Sequence, residues 1–285
     1  MSRLKRLAVG AVVVLTVAAV AVGGTVVWRM LNREPLPLAD RCTATTSTGS
    51  ATITADQAYY AALISGVSVK RGLVPRAASI ALATAFQESG LRNLDYGHAD
   101  SLGLFQQRPS QGWGTESEIM DPWYSSTQFY KALVKVKGWK DGDINDVAQA
   151  VQRSAHPEAY RKHVDRARIL ASALAGETPA GFSCRIGEPS DPNPDAMASF
   201  LTKTFGKKVS VETGADRLVV TADEPRTAWS VAHAAVAGVA EYGVTGVELG
   251  NWHWTHDPRS AAAWHGTGST DAEVVVLTFP ESPAR

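Results

Sequence analysis

The sequence predicts a mainly α domain over residues 54–184 and a small α+β domain over residues 196–285. It also predicts a transmembrane helix within residues 1–33. Three observations carry this. Leu7 to Trp28 holds no charged residue. The stretch 54–184 breaks into segments with helical spacing of apolar residues, each opened by a capping residue or proline. Beyond Asp191-Pro-Asn-Pro-Asp195 the pattern changes to short β-branched runs flanking one helical segment.

The uncharged N-terminal run is 22 residues long, and a span needs about 20. Arg3, Lys5 and Arg6 precede it, which predicts a single-pass protein of the cell membrane. The N-terminus would be cytoplasmic and the body extracytoplasmic. The alternative is a cleaved signal peptide with Ala19-Val20-Ala21 at the cut, giving a secreted protein. Residues 34–53, rich in Pro, Thr and Ser, read as a tether. Cys42 and Cys184 are the only cysteines, and an exported chain with two cysteines pairs them.

The first helix is expected from Ala55 to Arg71. Thr54 and Gln57 form a capping box, and Tyr60, Leu63, Ile64 and Val67 form one apolar stripe. The second runs from Pro75 to about Ser89 and is rich in alanine, which suits a central helix with close neighbours. Residues 90–120 are irregular. Asp121-Pro122 opens a third helix that buries Phe129, Ala132, Leu133 and Val136 and stops at Gly138. Asp143 caps a fourth, with Ile144, Val147, Ala148 and Val151 inward, and Pro157 starts a fifth that ends at Gly176. Residues 185–195 read as a linker. Strands are expected at 208–211, 217–221, 247–255 and 273–279, with a helix at 227–242.

The net charge is 0, but residues 1–34 hold five basic groups and one acid. The remainder is acidic, with 23 basic against 27 acidic residues, which argues against nucleic acid as a partner.

Glu88 ends the alanine-rich helix on the face that holds Ala81, Thr84 and Ala85. A carboxyl there meets desolvation and the negative end of the helix dipole, and both raise its pKa. A raised pKa suits a general acid. A long polar run follows, through Asp95, Asp100, Gln106, Gln107 and Trp113. Amides for hydroxyls and aromatics for ring faces suit a sugar, so Glu88 and this run read as a glycan-binding cleft.

Glu88-Ser89 closing a helix, followed by Ser101-Leu-Gly-Leu-Phe-Gln106, resembles the lytic transglycosylase and goose-type lysozyme family. That family has a Glu-Ser pair and then a Gly-Leu-Met-Gln segment; here Phe105 stands in place of the Met. The wider segment Gly103-Leu-Phe-Gln-Gln-Arg-Pro-Ser-Gln-Gly-Trp-Gly114 resembles membrane-anchored actinobacterial proteins with a lysozyme-like domain. The resemblance implies a lysozyme-like catalytic domain over 54–184 that acts on peptidoglycan glycan strands. Glu88 would protonate the oxygen between N-acetylmuramic acid and N-acetylglucosamine.

A two-carboxylate hydrolase needs a second acid about 5–9.5 Å away, and Asp100, then Asp95, are the candidates. Ser101, Gln106 and Gln107 suit acetamido and hydroxyl groups, and Trp113 and Tyr124 suit sugar rings. The family places a Tyr-Asn-Ala-Gly segment on a later helix, where its Tyr meets the catalytic Glu. Ala148-Gln-Ala-Val-Gln-Arg-Ser154 occupies that part of this chain, which makes Tyr160 the substitute. The rival reading is a catalytically silent wall-binding or scaffold protein that retains the cleft. Residues 196–285 would position the enzyme or bind a cell-wall protein. No cofactor is expected, since acid catalysis on a glycan needs none. No metal is expected either: there is no His-Glu-x-x-His pattern, and a strand would not aim both His253 and His256 at one ion.

Overall fold

The structure, a computed structural model, describes residues 39–280 apart from 155, 157, 215 and 261. These residues belong to one compact unit. Among them are nine α-helices and eight strands in two antiparallel sheets, so the fold is α+β and not mainly α. The expectation of a single-pass membrane protein is corrected as well. No helix among the described residues is long and apolar enough to cross a membrane, and residues 7–28, on which that expectation falls, lie outside them.

The strands of the first sheet are β1 (Arg41–Thr46), β2 (Gly49–Ile53) and β3 (Phe182–Arg185), in the order β2-β1-β3. Residues 41–53 were expected as part of a tether. They form a hairpin instead, because Cys42, Ala44, Ala51 and Ile53 alternate inward while threonines face out. Cys42 lies opposite Cys184 in the β1–β3 register. The two form the expected disulfide, with Cα atoms 4.0 Å apart.

The helices are α1 (Ala55–Lys70), α2 (Pro75–Ser89), α3 (Glu116–Met120), α4 (Pro122–Leu133), α5 (Ile144–Gln152), α6 (Val164–Leu174), α7 (Pro194–Phe205), α8 (Pro225–Ala237) and α9 (Val239–Tyr242). The Thr54–Gln57 capping box opens α1 as expected. Its burial extends beyond one stripe, since α2, α4, α7 and α8 all pack on it. Gly66 is where α7 comes closest; a Cβ there would collide with Thr204 and Phe205.

Pro75 opens α2, and Gly90 closes it at φ 66. Its small side chains admit α1, α5 and α6 at once, which makes it the central helix. Asp121 caps α4 by accepting from the N–H groups of Trp123 and Tyr124, and Asp143 caps α5 in the same way. α4 ends at Leu133, short of the expected Gly138. The start expected for the fifth helix, Pro157, lies outside the described residues. The helix found in that region, α6, begins at Val164 after a short 3-10 turn, Arg161–His163.

The second sheet orders β4 (Val209–Thr213), β5 (Arg217–Ala222), β8 (Val274–Thr278), β6 (Gly246–Leu249) and β7 (Trp252–Thr255) as β4-β5-β8-β6-β7. Residues 247–255 were expected as one strand. They make two, turning at Gly250 with φ 60. The expected linker at 185–195 runs from the end of β3 into the first turn of α7, where the Asn193 side chain accepts from Ala196 N–H. α8 joins the two regions. On it, Ser230 Oγ donates to Leu174 O and His233 Nδ1 bonds Ala173 O. Two tryptophans tie this region to β3: Trp254 Nε1 donates to Ser183 Oγ and Trp264 Nε1 to Phe182 O.

Candidate active site

A cleft of about 920 Å³ opens at the C-terminal end of α2. Three stretches line it: Glu88 with the loop from His98 to Trp113, the end of α4 from Ala132 to Val136, and the end of α5 from Ala150 to Ser154. Glu88 is the only acid among the described lining residues.

Glu88 is half-buried on the last turn of α2. Its Oε1 accepts a hydrogen bond of 2.6 Å from Tyr160 Oη, and Tyr160 is fully buried. Desolvation raises the carboxyl's pKa, partly offset by hydrogen bonding from Tyr160 and Gln152. Burial, and Glu88 beside it, push the Tyr160 phenol upward, so it remains a donor. With Oε1 accepting from Tyr160, the proton of the neutral acid is left to Oε2.

Ser89 fixes the loop to this helix end. Its hydroxyl reaches Ala85 O at 3.0 Å and Leu104 O at 2.8 Å, and it accepts from Arg92 N–H. Phe105 is fully buried and stacks on Phe129 with centroids 4.6 Å apart. Phe105 O accepts from Gln152 Nε2 at 2.8 Å, which joins the loop to α5.

The expected site residues divide into two groups. Ser101, Gln106 and Trp113 line the cleft with Glu88. Gln106 adopts a left-handed backbone, φ 47, and its amide donates to Tyr96 O and Gly103 O. Gly97 makes room for it, since a Cβ there would overlap the Gln106 side chain. Asp100, Gln107 and Tyr124 lie outside the lining. Gln107 is 2% exposed, and its amide donates to Ser125 O, which places it in the scaffold. The Tyr124 ring packs over Gly114.

Asp100 has both oxygens in use. Arg108 Nε donates to Oδ1 at 2.6 Å and Ser110 N–H to Oδ2 at 2.8 Å. Bonding from Ser110, then Arg108, holds its carboxyl well below the usual range. It clamps the loop as a fixed anion. Asp95 is exposed and also outside the lining.

Sequence reasoning missed Gln152, Arg153 and Lys135. Gln152 stands one helical turn after Ala148 of the buried α5 stripe, so its spacing marked it as facing inward.

No protein-family model matches the chain, and no curated protein matches it.

Proposed function

We propose that the chain cleaves the glycosidic bond between N-acetylmuramic acid and N-acetylglucosamine in peptidoglycan strands, with Glu88 as acid and then base. The observation that carries this is the half-buried Glu88 carboxyl, held by Tyr160 at the wall of a long polar cleft. Its raised pKa is what a proton donor to a glycosidic oxygen requires. The Glu-Ser pair and the Gly-Leu-Phe-Gln segment that resemble the lytic transglycosylase family meet in space through the Ser89–Leu104 hydrogen bond.

The outcome favoured is ring closure over hydrolysis. Oε2 gives its proton to the departing N-acetylglucosamine oxygen as the C1–O bond breaks. The muramoyl 6-hydroxyl then attacks C1, and its proton returns to Glu88, leaving a 1,6-anhydro sugar. The alternative, a two-carboxylate hydrolase, needs a partner acid about 5–9.5 Å from the first. Asp100, the residue expected for that role, is consumed by Arg108 and Ser110, and no other acid lines the cleft among the described residues. Tyr160 keeps the acid oriented and stabilises the carboxylate between the two proton transfers.

The test is product identity. Full-length protein is incubated with peptidoglycan sacculi, and the released fragments are analysed by mass. Anhydro-muropeptides support the proposal. Reducing-end products would replace ring closure by hydrolysis. Binding to sacculi without any release would give way to the catalytically silent wall-binding reading.

A further inference from the structure

The charges along the cleft are unbalanced. Beside the single acid Glu88, the described lining includes Arg108, Lys135 and Arg153. Arg108 is neutralised by Asp100. Lys135 and Arg153 form no ion pair among the described residues. Of the acids nearby in sequence, Asp143, Asp146 and Glu158 pair with Arg161, and Asp141 pairs with neither cation.

Both cations stand just past a helix end, Lys135 after α4 and Arg153 as the cap of α5. Positive charge there complements the helix dipole, which explains in part why no acid is needed. It does not explain why both side chains line the cleft. Arg153 takes the left-handed conformation, φ 53, that commonly ends a helix. Neither cation is among the groups that set the proton affinity of Glu88, which are burial, Tyr160 and Gln152.

We infer that Lys135 and Arg153 form a carboxylate-binding wall that selects glycan carrying acidic groups over neutral glycan of the same length. This rests on the glycan reading of the cleft and adds a specificity to it. On a peptidoglycan strand the carboxylate has two sources: the lactyl group of a peptide-free muramoyl unit, or the peptide attached to it. A carboxylate from either source accepts charge-assisted hydrogen bonds from a lysine or an arginine side chain.

The experiment measures binding to the full-length Glu88→Gln protein, which holds ligand without turning it over. The three ligands are a chito-oligosaccharide, a peptide-free muramoyl oligosaccharide and a peptide-bearing one, matched in length. The comparison protein adds Lys135→Gln and Arg153→Asn; asparagine tolerates the left-handed backbone. The expected result is that the added substitutions weaken the acidic ligands about tenfold and leave the neutral one unchanged. Salt should weaken the acidic ligands in the parent protein more than in the comparison protein. Loss confined to the peptide-bearing ligand places the carboxylate on the peptide; loss confined to the peptide-free ligand places it on the lactyl group; loss for both means that the wall accepts a carboxylate from either source. Equal affinity for all three ligands in the parent protein would overturn this inference while leaving the cleft's glycan role standing. Failure of every ligand to bind would overturn both.

Discussion

Tyr160 Oη donates to Glu88 Oε1 at 2.6 Å across 72 residues of sequence. The bond joins the turn before α6 to the last turn of α2, and it decides what the carboxyl can do. Without the phenol, Glu88 would keep its burial and lose a partner that lowers its pKa.

Tyr160→Phe should therefore raise the Glu88 pKa further. A general acid must be protonated, so activity falls as pH rises through that pKa. The alkaline limb of the pH–rate profile should move to higher pH in the variant. The maximal rate should drop about 10–100-fold, because a bond to a charged group is worth about 1.5–3 kcal/mol. A profile whose limb stays in place would remove Tyr160 from this role.

Ser89→Ala should loosen the loop. Leu104 O is left without its side-chain donor beside a buried site, which destabilises the protein by about 1–3 kcal/mol. Denaturant unfolding measures it. Activity should fall further than stability alone accounts for, because the loop carries Ser101, Gln106 and Trp113 into the cleft.

The parts of the fold governed by neighbouring residues were legible in the sequence. The Thr54–Gln57 box, Pro75, Asp121-Pro122 and Asp143 announce helix starts within four residues, and all four hold. α7 was missed although Asn193-Pro194 is a helix start of the same kind. The hairpin at 41–53 was hidden because its outward residues are threonines and its third strand, β3, lies far along the chain. Within the site, the place of Glu88 on the last turn of α2 was readable from helix periodicity. The fate of Asp100 was not, because only the folded loop reveals Arg108 and Ser110 as its partners. Tyr160 was offered only as a substitute for the Tyr that the resemblance implies; its contact with Glu88 depends on packing between α2 and the turn before α6.

His233 should make the protein acid-sensitive. It is fully buried on α8, and burial lowers its pKa to about 4 from 6.5. The folded protein keeps it neutral where the unfolded chain already binds a proton. Stability present above pH 6.5 is thus lost as pH falls toward 4, by up to about 3 kcal/mol at 1.36 kcal/mol per pH unit. His163 is shifted in the same direction. His233→Asn, which retains a donor toward Ala173 O, should flatten the slope between pH 7 and pH 5 in denaturant titrations. An unchanged slope would assign the acid sensitivity to other groups.

Reduction of Cys42–Cys184 should lower stability by about 5 kcal/mol in the chain-entropy model, since the bridge spans a sequence separation of 142. Denaturation midpoints with and without reductant measure this. Coincident midpoints would mean that β1–β3 pairing alone holds the ends of the sheet.

The central claim is that Glu88 supplies the proton that breaks a glycan bond. It is tested most directly by following release from sacculi by the wild-type protein and by Glu88→Gln, with binding measured in parallel. Wild-type protein should release anhydro-muropeptides, and the variant should bind equally and release them at least about 100-fold more slowly. Equal release by both proteins would contradict the account.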